Sequence, residues 1–224
     1  MKVLAVLSQK GGVGKTTLAT SLAVAAEADG KQVALIDLDP QATATFWHDT
    51  RHRETPAVVS IQPIRLSAVL NAAREQGTDL AIIDGAAVQR EIAYDAAAVS
   101  DFVLVPTKPA VFDIKSMTET IRAIQQHDKP LAIVLNMIAP TGVENTDAFD
   151  AAAVLGVEIC PVTIGNRKSF FRAQGQGLAA QEFEPHGKAA EEIDRLYAYT
   201  CIHLYNRQSG QSVEQPAVDE VVTA

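Results

Sequence analysis

Residues 10 to 17, Lys-Gly-Gly-Val-Gly-Lys-Thr-Thr, have the types and spacing of a phosphate-binding loop. They follow an apolar run, Val3 to Leu7, so a glycine turn lies between a strand and a helix. Backbone N–H groups gathered at such a helix N-terminus bind anions. Lys15 is placed to reach the β- and γ-phosphates of a nucleotide, and the Thr16 hydroxyl is an oxygen donor suited to Mg²⁺. Gly14, Lys15 and Thr16 fit the pattern Gly-x-x-x-x-Gly-Lys-Ser/Thr, but Gln9 stands where its first glycine belongs, and a second lysine, Lys10, opens the loop. The dinucleotide fingerprint fails, because the sixth position counted from Gly12 is Thr17 rather than Gly or Ala. A turn that binds nothing explains neither the two lysines nor the threonine pair.

Three carboxylates and one basic group add chemistry. Asp84 ends the apolar run Leu80-Ala-Ile-Ile83, and a strand-end carboxylate beside Lys15 and Thr16 can hold a Mg²⁺-bound water. Asp37 and Asp39 alternate with Leu38, so extended backbone puts both on one side; the plainer reading is that one of them caps a turn before Pro40. Arg167, Lys168 and Arg172 form the densest basic group late in the chain, with Phe170 and Phe171 between them. On a helix these cations share an arc while the aromatics point inward. Lys188 and Arg195 extend the patch, and Arg51-His-Arg53 is a second, weaker one. A solvated charged face is the alternative for both.

The elements that must position these residues are read from apolar runs. Strands are predicted at Val3–Leu7, Val33–Ile36, Val58–Ile61, Leu80–Ile83, Phe102–Val105 and Ile133–Leu135. Several are short and nearly all apolar, as parallel strands buried on both faces are. Helices are predicted at Thr16–Asp29, Leu66–Gln76, Glu91–Ala98, Ile114–Gln126, Thr146–Leu155 and about Gly187–Asn206. This βαβα order predicts an α/β fold, a doubly wound, mostly parallel sheet flanked by helices with its ligand at the carboxyl ends of the strands. In the last helix Ile193, Leu196, Tyr197, Cys201 and Leu204 form one core stripe, which makes Cys201 and His203 poor ligands.

The chain of 224 residues suits a single domain, residues 1–206, followed by an acidic tail at 207–224 predicted to be disordered. With 47% apolar and 21% charged residues it has the composition of a soluble globular protein. No apolar run approaches the ~18 residues that span a bilayer, and the expected location is the cytoplasm. A net charge of −8 excludes a surface coated in positive charge but allows a local basic patch. Cys160 and Cys201 are far apart and read as buried free thiols.

Residues 10–17 resemble the deviant Walker A motif of the ParA/MinD family of ATPases, and Asp37-Leu-Asp-Pro-Gln41 resembles the switch I motif of its ParA branch. The resemblance covers about residues 1 to 205. It implies a P-loop NTPase fold with ATP and Mg²⁺ as cofactors. Gly11, Gly12, Val13, Gly14, Lys15, Thr16 and Thr17 would cradle the phosphates, with Thr16, Asp37 and Asp84 around the metal. Asp39 would orient or activate the attacking water, with Lys15 and Lys10 completing the catalytic set. Lys10 corresponds to the signature lysine, which crosses a dimer interface to the partner's ATP, so ATP would favour a sandwich homodimer. Asn136 would hydrogen-bond adenine, and Pro106 and Pro109, with Asp113 nearby, would wall it. Arg167, Lys168 and Arg172, extended by Lys188, would grip DNA phosphates from the paired subunits. Where the family has Thr-Pro-Pro after the Walker B aspartate, this chain has Gly85-Ala86-Ala87, which predicts a smaller, more mobile switch II.

The leading functional expectation is a plasmid- or chromosome-partition ATPase of the small form, with no room before Met1-Lys-Val-Leu for an N-terminal DNA-reading domain. ATP would drive dimerisation and non-specific DNA binding on the nucleoid, and a ParB-like partner would stimulate hydrolysis and release. The second expectation keeps the ATPase and changes the cargo to chemoreceptor arrays, carboxysomes or cellulose-secretion machinery. Lys10 and the switch I pattern disfavour a metabolic P-loop enzyme. The acidic C-terminus lacks the basic amphipathic helix by which MinD binds membrane, so no membrane partner is expected.

Overall fold

A strand without polar residues has no face to give to water, and the inner strands here are covered on both sides, whereas the edge strand at Ala57–Ser60 is largely exposed. The computed structural model describes residues 1–86, 90–139 and 144–205. The chain runs β1 (Lys2–Val6), α1 (Lys15–Ala28), β2 (Val33–Asp37), α2 (Thr43–Thr50), β3 (Ala57–Ser60), α3 (Leu66–Glu75), β4 (Leu80–Asp84), α4 (Arg90–Ala98) and β5 (Phe102–Thr107). It continues with α5 (Val111–Gln125), β6 (Leu131–Ile138), α6 (Glu144–Ala153), β7 (Glu158–Ile159), β8 (Ile164–Gly165), α7 (Lys168–Gln174), α8 (Ala180–Phe183) and α9 (Lys188–Tyr205). The sheet order is β3-β2-β4-β1-β5-β6-β7, with β8 beside the end of β6. Neighbouring strands pair in parallel.

Alternation along each strand divides the core into two layers. On one face Leu4, Val6, Leu35, Ile82, Phe102 and Leu104 meet Leu18 and Leu22 of α1 and Ile193 and Leu196 of α9. On the other, Val3, Ala5, Ile36, Ile83, Val103 and Val105 meet Leu66 and Leu70 of α3, Ile92 of α4, and Ile114 and Ile121 of α5. This is the doubly wound arrangement. Its register sets Val6 opposite Asp84 and Asp37 opposite Asp84, so the loop after β1 and two of the three aspartates share one carboxyl-end rim.

The structure corrects several details. Helix α2 has no counterpart among the predicted elements. In α9 the buried stripe is Ile193, Leu196, Thr200, His203 and Leu204, whereas Tyr197 and Cys201 are only half-buried. His203 is a packing residue: its ring stacks on Phe102 at 4.4 Å between centroids, and Nε2 lies 3.1 Å from the Glu158 carboxylate. Cys160 is buried, and burial pushes its thiol up to about 12. No helix among the described residues is long and apolar enough to cross a membrane. The tail expectation, residues 207–224, lies outside the described residues.

Candidate nucleotide site

The glycine loop leaves β1 and turns into α1 through two left-handed residues, Gly12 at φ +68° and Gly14 at φ +89°. Gly14 is the N-cap of α1. A β-carbon there would be strained by its φ and would also collide with the Asn136 amide. Asn136, near the carboxyl end of β6, donates from Nδ2 to the Val13 carbonyl at 2.7 Å and accepts from the Met137 N–H at 2.8 Å. The side chain expected at adenine is thus buried with both ends of its amide engaged, and it ties the glycine loop to β6. Asn136→Ala removes the donor and leaves the buried Val13 carbonyl unpaired. The expected cost is about 1–3 kcal/mol of stability, read by urea unfolding of the nucleotide-free protein; an unchanged midpoint would contradict the clamp.

Lys15 opens α1. Its Nζ donates to the Lys10 carbonyl at 3.1 Å, and the residue is 7% exposed. Burial lowers its pKa, opposed by the charges of Asp84 and Asp39. A desolvated cation of this kind gains on meeting phosphate oxygens. Val13 is buried, Thr16 and Thr17 are half-buried, and Gly11 and Gly12 are exposed.

The three aspartates have separate situations. Asp37 is fully buried; Oδ1 accepts the Asp39 N–H at 2.9 Å, and Oδ2 accepts the Ala44 N–H at 2.9 Å and the Thr45 N–H at 3.4 Å. Burial raises its pKa against those hydrogen bonds. Both of its oxygens therefore cap the turn and the start of α2, a turn in which Ala42 takes a left-handed φ of 49°. Asp39 is half-buried at the rim and accepts the Gln41 N–H at 3.0 Å. Asp84 is fully buried; neither of its oxygens has a partner at good hydrogen-bond geometry, though the Thr16 hydroxyl lies near enough to favour its charged form. Its pKa is pushed up to about 7, first by burial and then by Asp37 and Asp39, against Thr16 and Lys15. An orphaned buried carboxylate beside a threonine hydroxyl is a donor set that fits Mg²⁺, which takes one or two protein oxygens and completes its octahedron with phosphate and water. Among the described residues no trio of His, Cys, Asp or Glu could hold a metal without such help.

Around the mouth, Lys10 is exposed and its Nζ lies 2.6 Å from Asp113 Oδ1. Pro106 is buried in β5 and Pro109 is half-buried in the loop that follows. Between them is a residue not singled out from the sequence: the Lys108 amine lies over Gly12, 3.9 Å from where a β-carbon would sit. Only the flanking Pro-x-x-Pro pattern drew attention to that segment. At switch II, Gly85 packs so closely on Val6 and Leu7 that a side chain has no room, and Ala86 is buried. These two residues are tightly packed rather than loose; Ala87 lies outside the described residues.

The expected DNA residues lie later in the chain, on a cavity of about 520 Å³ lined by Lys168, Arg172, Lys188, Arg167, Phe183 and Glu184 among others. Arg167 does not offer a free charge there: its guanidinium is paired with Glu192, Nε lying 3.0 Å from each carboxylate oxygen. Lys168, Arg172 and Lys188 are exposed. Phe170 packs against the core as predicted, but Phe171 is 85% exposed and points away from it. The weaker group dissolves. Arg51 is buried over the Trp47 ring and pairs with Glu182 at 2.6 and 2.7 Å, and Arg53 joins the same carboxylate. The Trp47 indole donates to the Leu178 carbonyl at 3.1 Å, tying α2 to the segment after α7.

The sequence profile of the CobQ/CobB/MinD/ParA nucleotide binding domain matches residues 4–180. The maintenance of carboxysome distribution protein A of Gloeobacter kilaueensis is 31% identical over 212 residues, covering 87% of this chain and 94% of that relative. The protein of the same name from Halothiobacillus neapolitanus is 28% identical over 202 residues, 86% and 93% of the two chains. The septum site-determining protein MinD of Pyrococcus horikoshii, solved with Mg-ADP, superposes with a TM-score of 0.74 at 16% identity, covering 89% of this chain and 95% of that one, and shares its fold. The glycine loop, the orphaned strand-end aspartate and the profile match over most of the chain agree: the protein belongs to the CobQ/CobB/MinD/ParA nucleotide-binding domain family.

Proposed function

We propose that this protein is an ATPase that positions a cargo along DNA, with ATP and Mg²⁺ at the glycine loop and DNA phosphates at the cationic cavity. The observation that carries the nucleotide half is the placement of the buried Lys15 amine and the buried, unpartnered Asp84 carboxylate near enough to feel each other's charge on one rim. Mg²⁺, when bound, supplies charge to the phosphate oxygens. The loop N–H groups and Lys15 hold the triphosphate, Thr16 and Asp84 are the donors for the metal, and Asp39 at the rim accepts a proton from, or orients, the attacking water. Lys10 contacts the γ-phosphate of a second copy, so ATP favours a dimer and hydrolysis weakens it.

Two cationic cavities joined by that dimer would bind one duplex bivalently, which suits switchable DNA binding by an acidic protein. Of the two cargo readings, a protein assembly is favoured over a plasmid by the near full-length alignment with proteins named for carboxysome distribution. A partner protein recognises the cargo and stimulates hydrolysis. The test is binding to random-sequence duplex at physiological salt with ATP, ADP or no nucleotide; the proposal expects tight binding with ATP alone. The triple variant Lys168→Ala, Arg172→Ala, Lys188→Ala should weaken it and lower the salt slope by roughly one per lost phosphate contact, with nucleotide binding retained. Undiminished DNA affinity would move the DNA site elsewhere.

A further inference from the structure

Lys10 is the one loop residue whose side chain already has an anionic partner among the described ion pairs of the nucleotide site. That partner, Asp113, sits in the first turn of α5, where a carboxylate is favoured by the helix dipole. Its side chain is 11% exposed against 44% for Lys10, and the two charged atoms are 2.6 Å apart. The backbone of Lys10 is fixed independently: its carbonyl accepts the Lys15 amine at 3.1 Å, and its N–H lies 3.4 Å from the Ser8 hydroxyl. The flexible stem above Cα can therefore swing without disturbing the loop. Asp113 is buried on its own chain and cannot follow it across an interface.

We propose that Asp113 is a positioning residue that holds Lys10 in cis and competes with the partner subunit's nucleotide for it. In the monomer the lysine stays folded back on α5, its charge satisfied. Two copies meeting without ATP offer Lys10 nothing in exchange for that carboxylate. A triphosphate across the interface offers more negative charge than one carboxylate and takes the lysine from it. The nucleotide requirement for pairing then comes partly from the cost of breaking two cis ion pairs, beyond the gain of forming two trans contacts. The inference rests on the proposed ATP-driven dimer for its consequence, but the hold itself is a property of the monomer.

Two measurements separate the hold from the dimer reading. In nucleotide-free full-length protein, the rate of amine acylation at Lys10, followed by mass spectrometry, should rise in Asp113→Asn and return toward wild type in Asp113→Glu. Sedimentation with Mg²⁺ and a slowly hydrolysed ATP analogue should show Asp113→Asn dimerising about three- to thirty-fold more tightly than wild type, from two part-exposed ion pairs per dimer. Higher salt should narrow that gap. In a Lys10→Gln background the Asp113→Asn change should have no effect, which a merely structural role for Asp113 would not predict. Equal acylation rates in wild type and Asp113→Asn overturn the hold, as does an Asp113→Asn effect that persists with Lys10→Gln. A faster rate in Asp113→Asn with no ATP-dependent dimer in wild type keeps the hold and overturns the dimer.

Discussion

Lys15→Ala is expected to lower the affinity for ATP by roughly 30-fold to several thousand-fold, which corresponds to the ~2–5 kcal/mol lost when one member of a buried charge pair is truncated. The size follows from where the amine sits. Lys15 is 7% exposed, its Nζ is anchored on the Lys10 carbonyl, and burial disfavours its charged form. Its proposed pairing with a triphosphate would therefore occur away from bulk water, where screening is weak. The loop itself should survive: Gly12 and Gly14 keep the turn, Asn136 still holds the Val13 carbonyl, and alanine is the best helix former for the first position of α1. Titration with a fluorescent ATP analogue in Mg²⁺ measures the loss, and unchanged thermal unfolding without nucleotide shows that the fold is intact. Affinity within a few-fold of wild type would refute the phosphate role of Lys15.

The inner strands of the sheet were legible in the sequence because they are apolar on both faces, and the glycine loop because no other chemistry uses its spacing. Asp84 was legible by its place after Ile83. Helix α2 was not: of Thr43 to Thr50 only Ala44 and Trp47 are buried, too few to show a period. Its start is set instead by the Asp37 carboxylate seven residues upstream of Ala44. Charge was misjudged where the partner is distant. Arg51 looks like surface until Glu182, 131 positions away, is brought beside it, and Arg167 looks like a free cation until Glu192 closes on it. Asn136 reads as a strand-end residue open to a ligand, and only the packing of β6 beside the loop shows that Val13 already takes its amide proton. A helical arc likewise failed to orient the two aromatics of α7: Phe170 turns inward, and Phe171 ends in solvent. Contacts that join sequence-distant polar groups are set by tertiary packing, which local pattern does not encode.

Asp84→Asn should make the metal-free protein more stable at pH 8 than wild type, by up to about 4 kcal/mol, and leave it nearly unchanged near pH 4. The effect follows from proton linkage. The folded protein holds the Asp84 proton up to about pH 7, whereas the unfolded chain releases it near 3.8. A folded-state pKa raised above the unfolded one contributes stability that is fully present below about pH 4 and is lost as pH rises through 7. The interval of about three pH units at 1.36 kcal/mol each sets the size of the loss. Asparagine has nearly the same volume and cannot ionise, so it removes this slope. Asp37, also raised by burial, keeps a residual slope of the same sign in both proteins. Urea unfolding in EDTA across pH 4 to 8 measures the two curves; curves that stay parallel would mean that Asp84 carries no buried charge at pH 8. The same substitution should cost the Mg²⁺-dependent part of nucleotide affinity. That reversal of sign, stabilising without ligand and damaging with it, is what distinguishes a carboxylate kept buried and unpaired for a cation from one that only fills the core.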